Sequence, residues 1–198
     1  MQKSTSFAVP IGFFIGSNEK IKLFSETKYD KILHKYFSKG YCKMNHVMKL
    51  ALERAKETMN QNIGGPFGAA IVNKEGEVIA VSSNSVLRDN DPTAHAEVNT
   101  IREACKKLNT YDLSDCVLYT TAYPCPMCLS ASIWANIKEI YYGCTPEDAE
   151  KIGFRDDYIY RFIRENCSNN TILKINPIDR EDCLTLFEEY EKKKKTIY

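Results

Sequence analysis

Two short motifs in this sequence carry residues of the types that bind zinc in proteins. His95 stands in T-A-H-A-E-V (residues 93–98), and Cys125 and Cys128 stand in Y-P-C-P-M-C-L (residues 123–129). Three nitrogen and sulfur ligands leave the fourth tetrahedral position open, and an open position distinguishes a catalytic zinc from a structural one. The sequence therefore predicts a catalytic site in which these three side chains hold one Zn²⁺ ion.

Glu97 follows His95 at the spacing H-x-E and is predicted to act beside the metal, not as a ligand. A carboxylate next to a zinc-activated water can accept a proton from the water and return it to the substrate. The combination of H-x-E with P-C-x-x-C is the signature of zinc enzymes that deaminate nucleobases. We therefore expect Glu97 to be the general acid–base catalyst of a hydrolytic deamination.

Other interpretations of the cysteine motif have to be compared with this one. C-x-x-C by itself also occurs in redox sites and in structural zinc sites, so a zinc-stabilised binding module is the rival that is not an enzyme. The chain has eight cysteines, but it is not a short secreted domain, and the motif therefore favours metal chemistry over a disulfide. The remaining cysteines are predicted to be core residues or free thiols.

The elements that must position these residues are predicted to alternate between helices and strands. Such alternation indicates a layered α/β fold. A polar loop is predicted over residues 88–92, Thr93 is the predicted cap of the following helix, and Trp134 and Tyr141 are expected in the core. The predicted helices span residues 45–59, 93–108, 126–136, 146–152, 157–165 and 180–195, and the predicted strands span residues 67–73, 77–82, 116–121, 139–142 and 171–176.

Composition limits the classes of protein to which the chain can belong. Its 198 residues favour one domain, and the formal net charge of +1 argues against nucleic acid as the partner. No stretch approaches the roughly 20 apolar residues of a membrane span, and a cytoplasmic location is the default expectation. Residues 1–44 have no clear periodicity and are predicted to be an extension, partly disordered or packed on the domain surface, before a domain over residues 45–198.

Two further residues are candidates for contact with a substrate. The carboxamide of Asn84 could pair with a purine edge, or it could hold an Asx-turn at the end of a strand. Phe67, which follows Gly65 and Pro66, could stack on a base or could pack in the core. On spacing alone the turn role is favoured for Asn84, whereas both choices stay open for Phe67.

From about Asn45 to its C-terminus the chain resembles the bacterial guanine deaminases of the cytidine-deaminase-like superfamily. Beyond the zinc motifs, the resemblance is carried by G-G-P-F-G-A (residues 64–69), N-D-P-T-A-H-A-E-V (residues 90–98) and E-D-A-E-K-I-G-F-R-D-D-Y-I-Y (residues 147–160). It implies a three-layer α/β/α fold around a mixed five-stranded sheet, and zinc-dependent conversion of guanine into xanthine and ammonia. Deamination of guanosine, cytosine or tRNA adenosine is the alternative.

The resemblance also implies roles for particular residues. Asn84 is similar to the family's base-contacting asparagine, and Asp156 to the carboxylate that binds the exocyclic amine and helps to transfer protons. Tyr198 is similar to the aromatic residue that closes the pocket, and Ala96 is expected among the substrate contacts. In that family the C-terminal segment, here from about residue 157, is exchanged between the subunits of a homodimer. Asp156 and Tyr198 would then serve the neighbouring active site.

The chain departs from the family pattern at two positions. The family usually has Glu where this chain has Tyr123, and it commonly has an acidic residue where this chain has Arg155. The first difference leaves open whether the substrate is the free base guanine or the nucleoside guanosine. Because of the second, Asp157 is an alternative to Asp156 for the second carboxylate.

Overall fold

The computed structural model describes residues 45–197, and these form seven helices and four strands. The predicted extension over residues 1–44 and the predicted pocket-closing Tyr198 lie outside the described residues. In chain order the elements are α1 (His46–Asn60), β1 (Gly68–Asn73), β2 (Val78–Ser83), α2 (Val86–Asp89), α3 (Ala96–Leu108), β3 (Cys116–Ala122), α4 (Pro126–Trp134), β4 (Glu139–Cys144), α5 (Pro146–Lys151), α6 (Asp157–Arg164) and α7 (Arg180–Lys192).

The four strands form one mixed sheet in the order β2-β1-β3-β4. β1 runs antiparallel to both β2 and β3, whereas β3 and β4 are parallel. The connection between the parallel strands contains α4, as a parallel crossover requires. The apolar β3 is thus a central strand, and its C-terminal end leads directly into the cysteine motif.

Helices cover both faces of the sheet because successive strand residues point to opposite sides. On one face, Ala70 and Val72 of β1 pack against Val47 and Ala51 of α1. On the other face the fully buried Ile71 belongs to the main core cluster, which also contains side chains of α3 and β3. The result is the expected α/β arrangement of helix, mixed sheet and helix.

The prediction of five strands is wrong for the residues described, which form four. Residues 171–176, predicted to be the fifth strand, adopt turn and irregular structure. The Asn169 carboxamide oxygen accepts hydrogen bonds from both the backbone N–H (3.0 Å) and the hydroxyl (2.7 Å) of Thr171. Such a local turn competes with strand pairing for the backbone groups.

Two predictions near the metal motif are also wrong in detail. Residues 86–89 form the short helix α2, which overlaps the predicted polar loop. Thr93 does not cap α3, because its backbone N–H and its hydroxyl both bond to the Asp91 carboxylate at 2.7 Å, and His95 takes the N-cap position. The helix therefore begins one residue after the predicted zinc ligand.

The prediction that Trp134 and Tyr141 pack in the core is wrong. Trp134 is the last residue of α4 and is 72% exposed. Tyr141 on β4 is 47% exposed and stacks on Tyr119 of the neighbouring strand, with the ring centroids 5.0 Å apart. Both side chains are therefore on the surface of the described chain.

Candidate active site

The three predicted zinc ligands lie together in the structure. His95 Nδ1 is 3.5 Å from Cys125 Sγ and 3.6 Å from Cys128 Sγ, and the three donor atoms lie within 4.8 Å of one another. A tetrahedral ion with a Zn–N distance of about 2.0 Å and a Zn–S distance of about 2.3 Å would hold such donors about 3.5 Å apart. The geometry and the chemistry of this donor set therefore fit one Zn²⁺ ion.

The two helix N-termini explain why the ligands converge. His95 is the N-cap of α3, and Cys125 is the N-cap of α4 with Pro126 at the first helical position. Val98 of α3 packs against both cysteines, which brings the two helix ends together. The positive ends of both helix dipoles then point towards the ligands and favour the thiolate form that zinc requires.

The donor set has three members, which is the number found in catalytic zinc sites. Within residues 45–197 it is the only cluster of three or more His, Cys, Asp or Glu side chains that could hold a metal. The seven cysteines in this part of the chain are all free thiols. A redox disulfide between Cys125 and Cys128 would not account for the position of the imidazole of His95 between the two sulfurs.

Hydrogen bonding also favours ionisation of one cysteine ligand. A hydrogen bond from Cys128 and the neighbouring imidazole of His95 lower the pKa of the Cys125 thiol, against the effect of burial. Because the thiolate is the form that binds metal, this arrangement prepares the sulfur for zinc.

Glu97 lies in the first turn of α3, and its carboxylate is directed towards the metal donors. The residue is 6% exposed, and its Oε1 accepts a hydrogen bond of 2.8 Å from the hydroxyl of Thr120 on β3. Its Oε2 lies 3.4 Å from Cys128 Sγ. Burial raises the pKa of the Glu97 carboxyl, and hydrogen bonds from its own backbone and from Thr120 oppose the shift. A carboxyl with a raised pKa can exchange protons closer to neutral pH.

A cavity of about 430 Å³ opens in front of this cluster. Its size falls in the usual range for small-molecule sites, roughly 300–1,000 Å³. Its walls are mostly apolar, with a few convergent polar side chains, as is typical of such sites. The lining includes the predicted residues Phe67, Asn84, His95, Glu97, Cys125 and Asp156.

Asn84 holds the turn that the sequence offered as one of its two roles, and its contact with a base stays a prediction. Its Oδ1 accepts hydrogen bonds from the backbone N–H of Val86 (3.2 Å) and of Gly65 (3.1 Å), which is the turn-stabilising role. Because both neighbours are N–H donors, the oxygen must face them, and the amide N–H groups are left for a ligand in the cavity. A Cβ on Gly64 would lie 2.3 Å from Asn84 Oδ1, so glycine is required at that position.

Phe67 lines the cavity and is also packed partly against the core. Its ring meets Phe154 edge to face, with the centroids 4.8 Å apart and an interplanar angle of 87°. Phe154 lines the same cavity, so two aromatic rings form one side of it. The side chain of Ala96 is fully buried in the core, since the first residue of α3 faces the sheet, and the predicted contact of this residue with the substrate stays a prediction.

The two neighbouring aspartates lie in different environments. Asp156 is half-buried and lines the cavity, and burial together with the nearby Cys125 raises the pKa of its carboxyl. Asp157 is exposed and forms ion pairs with Arg155 (3.6 Å) and Arg161 (3.9 Å). Of the two alternatives, the structure brings Asp156 to the metal donors of its own chain.

Sequence reasoning missed several residues of the site. Thr120, which holds Glu97, is the most buried polar contact of the site and could have been inferred from its place at the C-terminal end of a central strand. Phe154 and Leu87 line the cavity from outside the two zinc motifs. Tyr160 donates a hydrogen bond of 2.9 Å to the carbonyl oxygen of Pro124, beside the first cysteine ligand. No sequence signal pointed to that contact.

Comparisons with known proteins agree with this geometry. The guanine deaminase of Bacillus subtilis is 50% identical over 131 residues, which cover 65% of this chain and 83% of that protein. The tRNA-specific adenosine deaminase of Buchnera aphidicola is 34% identical over 148 residues, or 75% of this chain and 93% of the relative. The crystal structure of the Bacillus subtilis guanine deaminase superposes with a TM-score of 0.69 at 42% identity, covering 75% of this chain and 95% of the other.

A family model also matches the part of the chain that carries the site. It spans residues 43–144 and describes the zinc-binding region of cytidine and deoxycytidylate deaminases. The matched residues include all three metal donors and the buried Glu97. Since the motifs, the donor geometry and the extent of the match agree, the chain belongs to the family of the cytidine and deoxycytidylate deaminase zinc-binding region.

Proposed function

We propose that the protein is a zinc-dependent guanine deaminase, which converts guanine and water into xanthine and ammonia. The observation that carries the proposal is the buried carboxylate of Glu97 beside a complete three-donor zinc site, at the wall of a cavity of base-binding size. The choice of guanine is supported by the identity of 50% with the Bacillus subtilis guanine deaminase. The relatives named as tRNA-specific adenosine deaminases match at lower identity.

Glu97 is the proton carrier in this mechanism. When bound, zinc would act as a Lewis acid and lower the pKa of water, which makes the water a competent nucleophile near neutral pH. Glu97 accepts a proton from the attacking water at the carboxylate oxygen that faces the metal donors, while Thr120 holds the other oxygen. The carboxyl group delivers this proton to a ring nitrogen as the hydroxyl adds to the amino-bearing carbon. It then transfers a second proton, from the hydroxyl of the adduct, to the amine, so that the C–N bond breaks and ammonia leaves.

Other residues hold the base in position for this reaction. The amide N–H groups of Asn84 can donate to acceptor atoms on the purine, which carries two acceptors at O6 and N7. The rings of Phe67 and Phe154 supply an apolar wall at one side of the cavity. Asp156 can accept from the exocyclic amine, and its raised pKa suits it to proton transfer as the amine departs.

Release of ammonia from a panel of substrates tests the proposal. Purified, zinc-loaded protein is incubated with guanine, guanosine, adenine, cytosine, cytidine and a tRNA transcript, and we expect selective turnover of guanine. Preferred turnover of another substrate would contradict the choice of guanine but not the zinc chemistry. No turnover of any of them would favour the zinc-stabilised binding module.

Substitution of Glu97 tests the mechanism itself. We expect Glu97→Gln to lower kcat by on the order of 10²–10⁴-fold, because the general acid–base catalyst is lost. Zinc content, measured by elemental analysis, should stay at one ion per chain. Glu103→Gln is the matched control, because Glu103 lies on the same helix but is exposed and bonded to Ser82. An active Glu97→Gln enzyme would refute the mechanism.

We also propose that the protein is a homodimer with exchanged C-terminal segments from about residue 157. Every residue of α7, all of which the structure describes, is at least partly exposed. Several exposed side chains of the C-terminal segment from about residue 157 are large and apolar, which favours their burial against another chain. They include Ile163, Ile175, Ile178, Leu186 and Phe187.

The remaining expectations concern the domain limits and the setting of the protein. A zinc deaminase domain over residues 45–198 preceded by an extension, and a cytoplasmic location, stay predictions from the sequence. Within residues 45–197, no helix has the length and apolar character needed to cross a membrane.

A further inference from the structure

A second cavity lies beside the one that contains the metal donors. It measures about 490 Å³, and its lining comes largely from charged side chains of α5 and α6 and of the segment between them, among them Glu150, Arg155 and Arg161. Among the residues that the structure describes, Tyr123 and Asp156 are the two that line both cavities. These two side chains therefore form the wall that the cavities share.

Tyr123 is the larger of the two residues at this border. Its backbone N–H donates a hydrogen bond of 2.8 Å to the carbonyl oxygen of Cys144 at the end of β4. Its ring meets the ring of Tyr142 edge to face, with the centroids 5.0 Å apart and an interplanar angle of 85°. The residue is two positions before Cys125, so a ring held in this way stands at a fixed place beside the metal donors.

The two cavities suit different parts of a nucleoside. The cavity with the metal donors has mostly apolar walls and aromatic rings, which match the faces of a purine. The second cavity offers carboxylates and guanidinium groups, which can pair with the hydroxyl groups of a sugar. Tyr123 and Asp156 occupy the border between the cavities, so a ribose that extends from a base in the first cavity towards the second meets these residues.

We infer that Tyr123 is a specificity-determining residue that admits the free base and excludes the nucleoside. The inference rests on the proposed function, since it assumes that the first cavity binds guanine. Removal of the ring would join the two cavities and open a polar space for the ribose. The selection is steric, so it depends on the size of the ring and not on its hydroxyl.

The test measures binding and not turnover. Dissociation constants for guanine and for guanosine are determined by calorimetry for zinc-loaded protein in the Glu97→Gln background, with and without Tyr123→Ala. We expect the parent to prefer guanine, and Tyr123→Ala to shift the affinity ratio towards guanosine by at least about tenfold. If Tyr123→Ala does not fold, Tyr123→Leu keeps an apolar side chain at the position while removing the aromatic ring, and should shift the ratio in the same direction.

Two control variants make the result specific. Tyr123→Phe keeps the ring and should keep the affinity ratio of the parent. Tyr141→Ala removes an exposed tyrosine of β4 that lines neither cavity, and it should leave the ratio unchanged. An unchanged ratio in the folded Tyr123→Ala or Tyr123→Leu protein, or a parent that binds guanosine as tightly as guanine, would overturn the inference.

Failure of this inference and failure of the proposed function give different results. Wild-type protein that releases no ammonia from guanine contradicts the proposed function, whatever the affinity ratios are. Wild-type protein that deaminates guanine, combined with an affinity ratio that does not respond to Tyr123→Ala, contradicts only the role of Tyr123.

Discussion

Environment assigns different roles to identical side chains in this protein. Asp156 and Asp157 are adjacent, yet only Asp156 lines the cavity with His95 and Glu97. Burial raises the pKa of the Asp156 carboxyl, whereas the exposed carboxylate of Asp157 is paired with arginines. Glu97 and Glu103 on α3 differ in the same way, since one is buried beside the metal donors and the other is exposed. Position relative to the cavity thus separates a candidate catalyst from a surface charge.

This contrast gives a prediction for the two aspartates. We expect Asp156→Asn to lower kcat for guanine by at least about tenfold, which corresponds to roughly 1.4 kcal/mol of lost transition-state stabilisation. Asp157→Asn should change kcat by less than about twofold, because it removes only exposed ion pairs, which contribute little. Steady-state kinetics of both variants measure the difference. The reverse order of effects would assign the second carboxylate to Asp157.

The elements position the site by meeting at their ends. The N-termini of α3 and α4 bring His95 and Cys125 together, and the end of β3 places Thr120 against Glu97. α6 contributes a further contact, in which the hydroxyl of Tyr160 holds the Pro124 carbonyl next to the metal loop. Burial raises the pKa of Tyr160 to about 12, so the hydroxyl remains a donor at physiological pH.

Loss of this contact should loosen the loop that carries the cysteines. We expect Tyr160→Phe to reduce the free energy of unfolding by about 1 kcal/mol, the typical net contribution of one hydrogen bond. Zinc affinity should fall in parallel, because the loop is less restrained. Urea denaturation and titration with a competing chelator measure the two effects. Tyr158→Phe is the control, since Tyr158 is an exposed tyrosine on the same helix. Equal effects of the two substitutions would exclude a specific role for the Tyr160 hydroxyl.

At the scale of the whole molecule, large apolar side chains are exposed on several parts of the described chain. One part is the C-terminal segment with Leu186 and Phe187, which are 65% and 70% exposed. Others include Trp134 at the end of α4 and Tyr141 on β4, which are 72% and 47% exposed. Exposed patches of this kind commonly mark protein interfaces. An exchange of C-terminal segments would keep the contact of Tyr160 with Pro124, but between two chains, because a swapped element replaces an identical one.

Mixing two inactive variants tests the exchange. One variant carries Glu97→Gln, and the other lacks residues 196–198, a deletion that we expect to impair turnover by removing Tyr198. If Tyr198 serves the neighbouring site, a mixed dimer contains one site with both residues intact, and activity returns after the variants are unfolded and refolded together. Continued inactivity of a mixture that sediments as dimers would show that each chain completes its own site. Sedimentation at the mass of one chain would refute the dimer itself.

The sequence by itself determined the chemistry of the metal site and the positions of most helices and strands. His95, Cys125, Cys128 and Glu97 were identifiable because zinc chemistry requires fixed residue types at fixed local spacings. Asn45 was identifiable as the cap of α1, and its side chain accepts hydrogen bonds from the backbone N–H groups of Val47 and Met48. Helices and strands with strong periodicity were predicted within a few residues of their bounds, since their patterns are local.

Only the tertiary structure decided the features that depend on distant parts of the chain. Local sequence gave no means of separating Asp156 from Asp157, or of placing Tyr123 at the border of two cavities. It also predicted a strand over residues 171–176 and a buried Trp134, because apolar residues follow the same pattern whether or not another surface covers them. The residues that bind a metal can be recognised from their types and their close spacing in the sequence. Burial and the shape of a cavity depend instead on how separate helices and strands pack together.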